Sequence, residues 1–183
     1  MTFPQIIEID KKQAASCQID TAIALFFENK GNTVSVLSLA YSAWGIVKNL
    51  LTDQHASVRQ AFADDYSNLY QKPWEKLDEL WNFIKHAERD ANSVFQFPAR
   101  YEEIVLFSVV HDFGQVFDDW SVCRETYYYW FLATRHHDYS EDDKKELQNL
   151  LIKAQKRFPC IAQRDITAQK TMGYQSLQAL IGG

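Results

Sequence analysis

The chain has 183 residues, of which 46% are hydrophobic and 14% aromatic, and its formal net charge is -5 at pH 7. This composition is typical of one folded domain and excludes an intrinsically disordered chain. The acidic balance disfavours a protein that binds nucleic acid through a general basic surface. Residues 1–138 hold 12 Lys and Arg against 19 Asp and Glu, whereas residues 139–183 hold 7 against 5. Any attraction for phosphate groups is therefore expected to be local.

The three cysteines, Cys17, Cys123 and Cys160, are far apart and form no C-x-x-C pair. Their spacing predicts free thiols in a reducing compartment and no cysteine-based zinc site. No signal-peptide pattern opens the chain, and no apolar run approaches the roughly 18 residues that a bilayer-spanning helix needs. We therefore expect a cytoplasmic protein with no membrane contact and no cofactor.

The first half of the chain has helical periodicity. Apolar residues at i, i+3 and i+4 predict one helix over residues 11–29 and a second over residues 33–52, joined by a turn. Residues 53–72 are more polar and predict a short helix and a loop. Pro73 suits the first turn of a helix that runs to about residue 89. The side chains predicted to face the core from this helix are Trp74, Leu77, Leu80, Trp81 and Ile84.

In the second half, residues 94–97 alternate in polarity and predict a short extended piece. The strongly apolar segments 100–117 and 121–136 predict two helices, and the second is apolar around most of its circumference, as a central helix would be. Ser140 begins a capping-box pattern that predicts an amphipathic helix to about residue 157. One more helix is predicted around residues 174–181.

These elements predict an all-α, single-domain, antiparallel bundle of five to seven helices. The domain is expected to span residues 1–183, with a core over residues 11–158 and a C-terminal extension over residues 159–183. Arg124 and Arg135 lie on the apolar helix over residues 121–136. Since a buried guanidinium needs a partner, both are predicted to form ion pairs with carboxylates.

The segment 81–90 mixes chemically useful side chains with apolar ones. On an ideal helix Asn82, His86 and Arg89 fall within about 60° of one another, with Lys85 beside them. A histidine in this setting can act as an acid or base, with Asn82 orienting it or the substrate, and Lys85 and Arg89 can hold a phosphate. The same pattern is also typical of an ordinary solvated helix face.

A second cluster lies on the helix over residues 100–117 and just beyond it. An imidazole and carboxylates on one face, here His111 and Asp112, can ligate a metal ion. The alternative is a thin solvent-facing strip, and the pair His136-His137 is explained by its place at a helix end. Phosphate-loop, dinucleotide, nucleophile-elbow and zincin motifs are all missing from the sequence. The side chains that share the polar arc of the second cluster are Ser108, His111, Asp112, Gln115 and Asp118.

Over residues 11–140 the chain resembles an uncharacterised family of small bacterial all-helical proteins, most clearly through N-F-I-K-H-A-E-R-D at residues 82–90. The other matching segments are residues 18–28, 34–40 and 130–136. More distantly the chain resembles the HEPN superfamily of all-α domains, whose active motif is an arginine followed, after four to six residues, by a histidine. Asn82 and His86 match the polar residue and the histidine of that motif, whereas Trp81 stands where the arginine is expected.

The HEPN-like resemblance implies either a module associated with nucleotide or RNA or a homodimeric interaction protein, with weak or absent ribonuclease activity. A rival resemblance is to the metal-dependent HD phosphohydrolases, through V-V-H-D-F-G at residues 109–114. In that alternative His111 and Asp112 bind the metal, with His86 as an upstream ligand and Asp138 as a further one. The sequence leaves open whether the protein is an enzyme.

Overall fold

A computed structural model describes residues 7–51, 73–86, 92–98, 100–137, 145 and 147–182. All regular structure in these ranges is helical, which confirms the predicted all-α bundle, and none of these helices is long and apolar enough to cross a bilayer. The calls on residues 53–72 and on the capping box at Ser140 lie outside the described residues. The helices are α1 (Lys11–Glu28), α2 (Thr33–Val47), α3 (Pro73–Lys85), α4 (Tyr101–Phe117), α5 (Val122–Arg135), α6 (Gln148–Arg157) and α7 (Ile166–Ile181), with a 3-10 helix at Ile161–Gln163.

The first two helices form the expected hairpin. Asp10 begins α1 with a capping box, since its carboxylate accepts a hydrogen bond from the Gln13 backbone N at 2.7 Å and its own N donates to the Gln13 side chain at 3.0 Å. Asn29 ends the helix in the left-handed conformation, with φ 54°. The second helix ends at Val47 instead of near residue 52, because Leu50 is exposed and has no core surface to cover.

The aromatic contact between Tyr41 and Trp81 connects the third helix to α2. The Tyr41 ring stacks on Trp81 with 5.2 Å between centroids, and its hydroxyl donates to Asp78 Oδ1 at 2.7 Å. Burial and this hydrogen bond raise the pKa of Tyr41 to about 12. Leu80 is buried as predicted, whereas Ile84 is 39% exposed and does not face the core.

The core is centred on α5 and on the aromatic residues that meet it. Phe26 of α1 approaches Tyr127 and Trp130 edge-on, with centroid distances of 5.3 and 5.1 Å. The indole N–H of Trp130 donates to the Gln169 carbonyl at 2.7 Å, which ties α5 to the last helix. The aromatic run of α5 is therefore core, as its helical spacing indicates.

The last helix starts eight residues earlier than the sequence pattern suggests. Asp165 caps it by accepting a hydrogen bond from the Ala168 N at 2.8 Å. Its buried side includes Gln169 and Lys170. Because these two side chains are polar, the first two turns of the helix lack the apolar periodicity from which a helix is predicted. Leu177 continues the buried side toward the end of the helix.

Two helical glycines provide a matched test of packing. A Cβ at Gly173 would overlap the Phe27 ring, whereas a Cβ at Gly45 would meet nothing within 4 Å. We expect Gly173→Ala to lower the free energy of unfolding by about 1–3 kcal/mol through overpacking. The control Gly45→Ala should raise it by about 0.5–1 kcal/mol, since alanine restricts the unfolded chain. Urea unfolding measures both values, and equal effects at the two positions would contradict the observed helix contact.

Candidate functional site

The predicted site residues that the structure describes lie on the last turn of α3. Asn82 and Lys85 are exposed, and the His86 side chain is half-buried. The His86 backbone N donates to the Asn82 carbonyl at 3.0 Å, so the turn stays helical up to the histidine. Arg89 lies outside the described residues. The structure thus brings Asn82, Lys85 and His86 together, at a helix end where a cation is favoured.

Apolar side chains share this surface. Phe83 is 38% exposed and Ile84 is 39% exposed on the same turn. The Phe83 ring also lies 5.6 Å from Phe95, and Phe95 lies 6.1 Å from Phe97. Residues 94–97 alternate in exposure, with Val94 and Gln96 exposed and Phe95 and Phe97 half-buried against the core, and among the described residues they pair with no strand.

Residues 94–98 lead to the start of α4. The Tyr101 backbone N donates to the Pro98 carbonyl at 3.3 Å, which closes the turn into the helix. Arg100, at the N-cap, binds Glu103 with two hydrogen bonds, from Nε to Oε1 at 2.7 Å and from Nη2 to Oε2 at 2.9 Å. This is the bidentate geometry in which arginine holds a carboxylate most strongly.

The Glu103 carboxylate is fully buried and binds a second arginine. Arg135 Nη2 lies 3.1 Å from Glu103 Oε2, so two guanidinium groups share one negative charge. The Tyr127 hydroxyl donates to the Glu103 carbonyl at 2.8 Å. Burial, followed by the charge of Glu103, raises the pKa of Tyr127 well above its ordinary value and keeps it a neutral donor. Sequence reasoning predicted the ion pair of Arg135 but missed Glu103 and Arg100.

The other predicted ion pair is confirmed, and its guanidinium is buried whereas the Asp20 carboxylate is partly exposed. Arg124 Nε lies 3.1 Å from Asp20 Oδ1, and the guanidinium also binds Ser121 and Ser16. Its Nη1 donates to the Asp119 carbonyl at 2.9 Å. Because the guanidinium of Arg124 is buried and all three of its nitrogens form hydrogen bonds, we assign this cluster a structural role.

Polar contacts also hold the last helix against α4. Gln169 Nε2 donates to the carbonyls of Ile161 and Arg164 at 3.2 and 3.0 Å, and its Oε1 lies 3.4 Å from Arg100 Nη2. Lys170 Nζ binds Glu102 at 3.2 Å. These bonds compensate the burial of polar groups at the α4–α7 contact.

His111 and Asp112 lie in different surroundings. The His111 ring lies beside the stacked pair of Phe107 and Tyr128, with centroid distances of 6.1 Å to Tyr128 and 6.3 Å to Phe107, whereas Asp112 is fully buried. The expected solvent-facing strip is therefore wrong at Asp112 and also at Ser108, whose hydroxyl bonds to the Ile104 carbonyl. Within the described parts of the chain, no three His, Cys, Asp or Glu side chains form a group that could hold a metal ion.

The burial of the Glu103 carboxylate predicts that removal of its charge strongly lowers the free energy of unfolding. Glu103→Gln leaves two guanidinium groups without their counter-charge and should lower the free energy of unfolding by about 3 kcal/mol or more. Glu125→Gln is the matched control, because Glu125 is exposed and lies 3.9 Å from Arg157. It should change stability by less than about 0.5 kcal/mol. Chemical unfolding compares the two, and a mild effect of Glu103→Gln would contradict the shared ion pair.

The burial of His111 predicts a pH dependence. Burial lowers the pKa of His111 from 6.5 to about 4, so the unfolded chain binds a proton there before the folded chain does. Stability should consequently fall as the pH falls from about 6.5 toward 4, with about 2 kcal/mol lost by pH 5. His111→Phe keeps an aromatic ring and does not titrate. The wild type should lose that much more stability than the variant between pH 7 and 5, and parallel losses would refute the assignment to His111.

The chain was also compared with known proteins. No family model matches it, and no significant match was found among curated proteins or solved structures.

Proposed function

We propose that this protein is a HEPN-like helical module that binds nucleotide or RNA through the last turn of α3. The observation that carries the proposal is the exposure of Asn82, Phe83 and Lys85 on a single turn. Asn82 and Lys85, three residues apart, lie on one face of the helix, and Phe83 lies about 100° from Asn82 on the neighbouring side.

These three groups match the parts of a nucleotide. An ammonium group contacts phosphate, an aromatic ring stacks on a base, and an amide hydrogen-bonds to a base edge or sugar. The Phe83 ring lies 5.6 Å from the ring of Phe95, which is half-buried against the core and supports Phe83 from the protein side. Because the net charge of the chain is -5, attraction for phosphate depends on such a local arrangement.

Ribonuclease activity is proposed to be weak or absent. Trp81 stands at the position where the HEPN-like motif has its arginine, and its ring is engaged with Tyr41 at 5.2 Å. A guanidinium that stabilises the charge of the cleaved phosphate is therefore missing from that position. Any residual catalysis would use His86 as the acid or base, with Asn82 orienting it.

The alternative, a metal-dependent HD-type phosphohydrolase, has less support. Its chemistry needs His111 and Asp112 on one accessible cavity with a metal-bound water. The full burial of Asp112 and the stacking of His111 on Tyr128 favour structural roles for both residues.

A cytoplasmic location and a homodimer belong to the HEPN-like proposal. Sedimentation of the purified chain measures whether it is a dimer.

Binding of a fluorescent single-stranded RNA tests the proposal. Lys85→Gln should weaken binding and lower the salt dependence by about one phosphate contact. Phe83→Ala should weaken it about fivefold or more, because base stacking on an aromatic ring is lost. Fluorescence anisotropy measures both effects at several salt concentrations.

The matched control is Lys153→Gln, an exposed lysine on α6. It should leave the affinity of the RNA within about twofold of wild type, since it removes a charge far from the aromatic surface. Equal loss in Lys85→Gln and Lys153→Gln would indicate nonspecific attraction and refute the α3 site. His86→Ala, assayed in chelator, separates cleavage from binding.

A further inference from the structure

We propose that residues 7–10, here named the α1 arm, dock on the outer face of α6 in a second copy of this chain, and that two copies exchange this contact symmetrically. The surface shares no residue with the α3 site and needs no nucleotide or RNA. The inference rests on the proposed function only in giving its homodimer a contact surface. The argument for the partner comes from exposed apolar side chains and from charge.

The α1 arm alternates apolar and acidic residues and leaves them in solvent. It has no regular secondary structure, and Ile7 and Ile9 are 83% and 61% exposed. Asp10 is fixed by the capping box of α1, so the arm projects from a defined point. In an extended segment, side chains two residues apart lie on the same side. The arm can therefore present two isoleucines on one side and Glu8 on the other.

The outer face of α6 offers the complementary groups. Ile152 is 55% exposed, and Lys153 and Lys156 are exposed near it. Around the helix Ile152 lies about 100° from Lys153, with Lys156 between them. An extended segment that lies along this face thus meets an apolar side chain on one side and ammonium groups on the other.

The two lysines of this face favour an acidic partner. Within the part of the chain that the structure describes, neither Lys153 nor Lys156 forms a hydrogen bond or an ion pair. They are three residues apart, a spacing at which like charges repel on a helix. The same holds for the acidic group, since Glu8 has no partner among the described residues. Contact between the arm and this face compensates both charges.

The α1 arm and α6 both adjoin the start of α5. On one side, Arg124 donates to Ser16 in the second turn of α1 at 3.1 Å. On the other side, Arg157 at the end of α6 donates to Thr126 at 2.6 Å. Val122, in the first turn of α5, is 41% exposed. The two halves of the proposed contact are therefore neighbours at one end of the bundle.

A second copy of the chain can meet both halves at once. In a two-fold arrangement the arm of each chain contacts α6 of the other, so every contact is made twice. This doubling matters because four residues alone bury much less than the roughly 1,000 Å² of a specific interface. Charge favours the same partner, since residues 1–138 are net acidic and residues 139–183 are net basic.

Sedimentation equilibrium of the intact protein over a range of concentrations tests the inference. The wild type should form a dimer, and Ile9→Ser should weaken it about tenfold or more, because an apolar contact made twice is lost. The matched control is Val34→Ser, which is 48% exposed at the start of α2 and about 27 Å from the arm along α1. A wild type that remains monomeric, or equal losses in both variants, would overturn the inference.

Charge reversal identifies the residues that meet. Glu8→Lys and Lys156→Glu should each weaken the dimer about threefold or more, because an attraction becomes a repulsion. The double variant again places opposite charges on the arm and on α6, so it should recover most of the wild-type affinity. The control variants Glu28→Lys and Lys30→Glu change exposed charges at the far end of α1 and should leave the dimer as it is. A double variant without recovery contradicts the proposed pairing.

A measurement on the wild type guards against misfolded variants. The methyl NMR signals of Ile9 and Ile152 should shift as the protein concentration rises, whereas that of the buried Ile23 should stay in place. Unmoved signals of Ile9 and Ile152 during dimer formation would overturn the inference without any mutation.

The outcomes also separate this inference from the proposed function. A dimer that is unchanged in Ile9→Ser and Lys156→Glu would overturn the inference and leave the homodimer of the proposed function standing. A dimer that both variants dissociate, with no RNA binding by the wild type, would support the inference and refute the proposed RNA binding.

Discussion

The rest of the structure depends on one buried carboxylate. Glu103 has no exposed surface, and the two guanidinium groups that meet it compensate the burial of its carboxylate. Arg100 joins it to the segment before α4, and Arg135 joins it to the end of α5. Through the contact between Arg100 and Gln169 the same cluster reaches α7. A single charge thus fixes the relative positions of three helices.

Around this cluster aromatic side chains pack the helices so closely that larger side chains do not fit at some positions. Phe27 fills the space that a side chain at position 173 would need, and Trp120 does the same at Gly114. The rings of Phe26, Tyr127 and Trp130 meet mostly edge-on within 6 Å. Non-directional burial supplies most of the stability of such a core, whereas the ion pairs select one arrangement of the helices.

Local patterns could predict much of this fold. The apolar spacing of α1 and the all-round apolar surface of α5 are properties of one helix, and they were readable from the sequence. The need of Arg135 for a carboxylate was readable as well, because a guanidinium on an apolar helix must be paired. That the partner is Glu103, 32 residues away, is decided by how α4 and α5 pack, and no local pattern carries it.

The wrong predictions for the start of α7 and for Ile84 also arise from helix packing, which no local pattern carries. The first two turns of α7 were missed because Gln169 and Lys170 face the core with their polar groups bonded, so their burial leaves no apolar signal. Ile84 was assigned to the core because its spacing on α3 is helical, but that helix has no neighbour on this side among the described residues. The candidate residues Asn82, Lys85 and His86 were placed correctly on one turn, because their proximity follows from helix geometry alone.

The exposure of the last turn of α3 has a consequence for its dynamics. The described contacts of this helix with α2 centre on Tyr41, which holds Asp78 and Trp81. The last turn of α3, whose side chains from Asn82 to Lys85 are exposed, is expected to open locally at a lower free energy than the aromatic core, so its amide hydrogens exchange with solvent sooner. Part of the binding free energy of a ligand on this turn is used to order it. Occupancy of the surface by the ligand and protection of these amide hydrogens from exchange are therefore expected to rise together.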